Sequence, residues 1–119
     1  MPRQRYVTEF GMGTDVHGSD MTKAACRAVS DAIRHSSLNF FKALGRTPHD
    51  MEIDVLIGAP DPEAVDTSEV AKQLPYGTVR VEVTKGGLAI SPDEGSDAIV
   101  IANAGVKVCL LYTSPSPRD

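Results

Sequence analysis

Between Arg5 and Phe10 the chain alternates, with Tyr6, Thr8 and Phe10 on one side of a pleat and Val7 and Glu9 on the other. That period of two predicts a half-buried strand. After a glycine-rich stretch the period changes: Ala25, Ala28, Val29, Ala32, Ile33, Ser36 and Phe40 recur at helical spacing. A helix is expected there, opened by Ser19 or Asp20 as N-cap, running to about residue 44 and ended by Gly45 in a left-handed conformation. Its buried stripe is mostly small, which lets its backbone approach a sheet closely. Met51, Ile53, Val55 and Ile57 alternate with Glu52 and Asp54, giving a second strand. A second helix is predicted over residues 62–74, with Pro62 in its first turn and Pro75 and Gly77 stopping it. Val79, Val81 and Val83 against Arg80, Glu82 and Thr84 form a third strand. Gly86-Gly87 then makes a hairpin or a bulged bend before Leu88 and Ile90. Ile99, Val100 and Ile101 are apolar in succession, the pattern of a strand that is central or at an interface.

These elements define an α+β fold, a single domain in the order β-α-β-α-β-β, with a mixed sheet and two helices on one face. If the other face is solvated, Glu52, Asp54, Arg80 and Glu82 stand on it. The apolar last strand fits such a face least well and points to a homo-oligomer.

Composition narrows the partners. A chain of 119 residues has room for one core. A formal charge of -4 and the lack of a Lys/Arg cluster argue against nucleic acid, which needs a basic stripe. Nothing approaches the roughly 18 apolar residues of a membrane helix, and the opening residues have no apolar signal stretch, so a cytoplasmic protein is expected. Cys26 and Cys109 have no metal-binding spacing and are too few for a disulfide scaffold; Cys26 reads as a buried thiol. Residues 109–119 turn abruptly from strand pattern to a Ser/Pro-rich tail and resemble a translated sequencing adapter. The domain is therefore set at residues 1–108, followed by a non-native or disordered tail.

Reactive side chains concentrate between the first strand and the first helix, from Gly11 to Lys23. Gly11, Gly13 and Gly18 permit close backbone approach to a ligand, and a helix N-terminus offers N–H groups to anions. This is neither a P-loop nor a complete dinucleotide fingerprint, and Asp15 and Asp20 put negative charge where phosphate would sit. Asp15 and His17 could hold a divalent metal with Glu9 or Asp20. Alternatively, His17 is a general base oriented by Asp15, with Lys23 holding an anionic substrate. The plain structural alternative is a strand-to-helix turn in which Asp15 bonds local backbone N–H groups and Asp20 or Ser19 caps the helix. Asn103, on the last strand, either satisfies backbone groups or contacts substrate.

Gly11, Gly13, Asp15, His17 and Gly18 together spell Gly-x-Gly-x-Asp-x-His-Gly. In this the chain resembles an uncharacterised family of small conserved hypothetical proteins named for a listerial member. The likeness continues through residues 22–33, Gly87-Leu88 and residues 96–104, and so covers most of residues 6–108. It implies a functional role for Asp15 and His17 without choosing metal over acid–base chemistry. At the level of fold, the layout is similar to small trimeric folds that bind metabolites between subunits, including the repeat unit of ring-opening amidohydrolases. That likeness implies a homotrimer with the glycine-rich loop at a subunit boundary. The expectation is a protein that binds a small polar metabolite through Gly11, Gly13, Gly18, Asp20 and Asn103. Hydrolysis by Asp15, His17 and Lys23 is the chemistry considered. The rival class is a non-catalytic oligomeric assembly or regulatory module.

Overall fold

The computed structural model describes residues 3–16, 19–35, 51–74, 77–91 and 98–111. Along them run β1 (Arg3–Asp15), α1 (Met21–His35), β2 (Met51–Ala59), a 3-10 turn (Pro62–Ala64), α2 (Thr67–Ala71), β3 (Thr78–Lys85), β4 (Leu88–Ile90) and β5 (Ile99–Leu111). The fold is the expected mixed α+β arrangement. The continuation of the first helix beyond His35 and its Gly45 terminator lie outside the described residues.

The sheet has five strands in the order β1-β5-β2-β3, with β4 also on β5. The long β5 is central. β1 pairs antiparallel along one edge of it, from Arg3 opposite Leu111 to Asp15 opposite Val100. On its other edge β2 pairs with it from Met51 to Gly58, and β4 takes over opposite residues 99–101. β3 lies parallel to β2 at the far edge, and the 3-10 turn and α2 supply the crossover that a parallel pair needs.

Three differences from the sequence reading have physical causes. First, β1 does not stop at Phe10 but runs to Asp15, so Gly11 and Gly13 are strand residues and not part of a loop. Second, the helix predicted over 62–74 is split, because Asp66 begins a new helix. Its carboxylate accepts from the N–H groups of Ser68 at 3.0 Å and Glu69 at 3.4 Å. Third, β3 and β4 form no hairpin. Gly86 crosses the end of β2, where a Cβ would stand 3.1 Å from the Gly58 Cα, and Gly87 takes a φ of 65° in close contact with the Ile101 carbonyl oxygen. The chain thus steps over β2 to reach β5. β5 itself continues through Leu111, three residues into the segment set apart by composition, and Cys109 is buried there.

One face of the sheet forms the core. Val100, Ala102, Ala104, Val106 and Val108 of β5 and Met51, Ile53, Val55, Ile57 and Ala59 of β2 are buried. They pack with Ala24, Ala25, Ala28, Val29 and Ala32 of α1. The small stripe does what its composition predicts. A Cβ at Gly11 would collide with the backbone of Ala28 and Ala32, and one at Gly13 with the backbone of Ala24 and Ala28. Strand and helix therefore touch backbone to backbone, a contact open only to glycine.

The opposite face has no helix of the described residues on it. It carries the expected Asp54, Arg80 and Glu82, and with them Phe10 at 70% exposure, Met12, Leu56, Leu88 and Ile90. β5 is thus central within the sheet and open along part of its outward face: Asn103 and Lys107 are exposed, whereas Cys109 is buried.

Candidate functional site at the β1–α1 corner

Asp15 ends β1 facing inward, on the side of α1, and is the buried acidic residue of the described core at 2% exposure. A carboxylate taken out of water needs partners for both oxygens. Oδ2 accepts the Asp20 N–H at 2.8 Å. Oδ1 faces Arg27 Nη1 at 3.7 Å and Lys23 Nζ at 4.0 Å. Both cations come from the first turns of α1, four residues apart, so helical spacing sets them side by side over the carboxylate. Arg27 is fixed further by a hydrogen bond from Nη1 to the Thr14 carbonyl at 2.6 Å. Each keeps about half its side chain in solvent, 52% for Lys23 and 54% for Arg27.

Two hydrogen bonds link the end of β1 to the start of α1. Asp15 holds the Asp20 N–H, and Asp20 in turn caps α1, its Oδ1 accepting the Lys23 N–H at 3.0 Å. Ser19 adopts a φ of 50°, a left-handed conformation that costs a non-glycine residue free energy, and its hydroxyl donates to the Ala98 carbonyl at 3.2 Å. His17 and Gly18, the two motif residues between Asp15 and Asp20, lie outside the described residues.

The predicted site residues therefore divide. Asp15, Asp20 and Lys23 come together as expected. The Asp15 carboxylate meets the Asp20 N–H and faces Lys23 and Arg27, with its side chain only 4% exposed. Two cations already face its oxygens, an arrangement that disfavours recruiting a further cation. No group of three or more potential metal-ligating side chains is found among the described residues. Gly11 and Gly13 give their space to α1 and not to a ligand. Asn103 is opposite Met12, and alternation puts it on the other face of the sheet, away from Asp15, which pairs with Val100. Arg27 was missed, although its four-residue offset from Lys23 was a readable signal.

Cys26 was expected as a buried thiol and is half-buried against α2, its Sγ donating to the Glu69 carbonyl at 3.8 Å. Burial, then the negative charges of Glu69, Asp20 and Asp66, raise its pKa above the ordinary thiol value. That environment makes it a poor nucleophile. Near it, Thr22 ties the crossover to α1, its hydroxyl accepting the Asp66 N–H at 2.8 Å and donating to the Ala64 carbonyl at 3.3 Å.

The fold and this corner define a small α+β protein with a glycine-packed strand–helix unit and a buried Asp15 at its open end. The chain belongs to the family described as Conserved hypothetical protein (Lin0512_fam), whose model matches residues 5–108. Among solved structures it is similar to an FtsZ-like protein of unknown function from Nostoc punctiforme PCC 73102. The TM-score is 0.81 at 36% identity, covering 94% of this chain and 99% of that one. No curated protein matches the chain. No helix of the described residues is long and apolar enough to cross a membrane.

Proposed function

We propose that the β1–α1 corner binds a small polar metabolite carrying an anionic group. The observation that carries the reading is the pair of half-exposed cations, Lys23 and Arg27, held in fixed positions by the buried carboxylate of Asp15. Preorganised cations bind an anion at lower entropic cost than free surface lysines. His17 and Gly18 lie between Asp15 and Asp20 in the sequence, and His17 is assigned to ligand contact. Asp15 is assigned the positioning role, so the corner is read as a binding site first; hydrolysis would need a water activated by His17 alone.

Native mass spectrometry of the full chain, followed by calorimetric titration with inorganic phosphate and small carboxylates, tests this. A bound small molecule or a titratable anion is expected. Binding should fall about tenfold in Lys23→Gln and in Arg27→Gln, the worth of one charge-assisted hydrogen bond. It should be lost in His17→Ala, with unchanged circular dichroism. A protein that carries no adduct and shows no heat with any of these anions overturns the reading. The rival, an assembly module, is favoured by a separate observation, the apolar open face of the sheet.

A further inference from the structure

We propose that the open face of the sheet is a self-association surface, closed by the same face of a second copy of this chain. The argument is independent of the corner site and starts from β1. Its inward positions Gly11 and Gly13 are bare, while its outward neighbours Phe10 and Met12 are 70% and 54% exposed. Bulk projects where nothing of the described chain packs on it. Leu56 of β2 and Leu88 and Ile90 of β4 continue the same surface at 51%, 58% and 50% exposure. Together these five side chains expose roughly 500 Å² of apolar area, near the upper end for the largest patch on a monomer and in the class that is often functional. With the charged row beside them the face reaches roughly the 800 Å² that each partner of a standard interface buries.

Register identifies the occupant. Three rows cross this face. In the first, Thr8, Lys107, Asp54 and Arg80 are successive partners across β1, β5, β2 and β3. In the second stand Phe10, Gly105, Leu56 and Glu82. Further along β5, where β4 replaces β2, Ile101 is opposite Leu88 and Ile99 opposite Ile90. Consider a two-fold axis parallel to the strands, running between β5 and the column formed by β2 and β4. It lays β5 of each copy over β2 and β4 of the other and maps each row onto itself in reverse. Lys107 then meets the second copy's carboxylate at position 54, and Leu56 meets position 105, where the Phe10 ring already lies against the glycine. Isoleucines at 101 and 99 meet Leu88 and Ile90. Every one of these contacts occurs twice, as an isologous interface requires, and none puts like charges together.

The geometry within one protomer is consistent with this. Asp54 is bound to Arg80 at 2.9 Å and lies 3.8 Å from Lys107, so the row already holds both signs in balance. That row and Leu56 line a groove of about 430 Å³, floored by Gly105. A balanced row discriminates against polyanions and against strongly basic partners, but not against itself. Face-to-face packing of two such sheets, with their usual relative twist of about 30°, is a common way to bury open sheet faces.

Sedimentation equilibrium of the full chain, up to high micromolar concentration, tests the proposal. The expected mass is twice the 12.7 kDa of one chain. Leu56→Arg places a charge against the Phe10 ring and Gly105, and Leu88→Asp places one in the apolar cluster; each is expected to reduce the mass to 12.7 kDa with unchanged circular dichroism. Lys72→Gln, at the C-cap of α2 and away from this face, is expected to leave the dimer intact. A wild-type monomer throughout the concentration range overturns the proposal. So does an oligomer that survives both substitutions.

Discussion

The two faces of β1 put glycines and bulky apolar side chains within four consecutive residues. Inward, Gly11 and Gly13 bring β1 against the backbone of α1; outward, Phe10 and Met12 stand in the open. The same contrast separates two aspartates that each lie between two cations. Asp15, inside, is 4% exposed between Lys23 and Arg27, whereas Asp54, outside, is 28% exposed between Arg80 and Lys107. The difference teaches where the fold depends on exact fit. Inside, the contact is set mainly by backbone atoms; outside, bulky apolar side chains stand exposed.

The largest effect should come from filling the bare side of β1. Gly11→Val or Gly13→Val must push α1 away from the sheet, since the obstructing atoms are backbone and not the ends of flexible side chains. A loss of at least about 3 kcal/mol is expected in urea denaturation. Phe10→Ala, one residue away on the other face, should change the stability of the isolated protomer by less than about 1 kcal/mol. Equal losses at both positions would remove the distinction between the faces.

Next in size is the contrast between the aspartates. Asp15→Ala leaves the Asp20 N–H without its acceptor and two cations without their counter-charge, and should cost about 3 kcal/mol. Asp15→Asn keeps an acceptor and should recover part of that. Asp54→Ala removes a more exposed ion pair and should cost under about 1 kcal/mol. Thermal denaturation of the three variants measures the ordering; an Asp54→Ala loss as large as that of Asp15→Ala would mean that burial does not govern these pairs.

The sequence showed one side of this comparison better than the other. Period two located β2 and β3, helical spacing and a small stripe located α1, and Asp20 was readable as its cap because capping is local chemistry. The Gly11-x-Gly13 pair misled, because glycine in a strand reads as a loop when the reason for it, a helix returning from residues 24–32, is tertiary. For the same reason the partner of β4 was not readable: Leu88 to Ile90 is adjacent to β3 in sequence but pairs with β5. The motif pointed to the corner, but not to the burial of Asp15; the four-residue offset of Arg27 from Lys23 was readable, while its approach to Asp15 was not. The open apolar face was not readable, since Met12 fell in the stretch read as a loop, and Phe10 and Leu56 stood singly in their strands until register aligned them.

The smallest expected effect concerns α2, a five-residue helix on the crossover that depends on its cap. Hydrogen bonds from the Ser68 hydroxyl and from the Glu69 and Ser68 N–H groups, with a smaller contribution from Lys72, hold the Asp66 pKa below the ordinary aspartate value. A carboxylate lowered on folding contributes stability that is complete above the unfolded pKa, near 3.9, and disappears as pH falls through the folded value. Lowering the pH from 5 through about 3 should therefore loosen residues 67–71 before the contact of α1 with β1, which is held by glycine packing on backbone as well as by the Asp31 carboxylate that accepts the Met12 N–H at 3.0 Å. Amide exchange followed across that range checks the order. Asp66→Asn, which keeps an acceptor but cannot titrate, should remove the pH dependence at α2 while leaving the exchange of Ala28 and Ala32 unchanged. If α2 and α1 loosen together in both proteins, the cap is not an independent element and the inner face responds to acid as one unit.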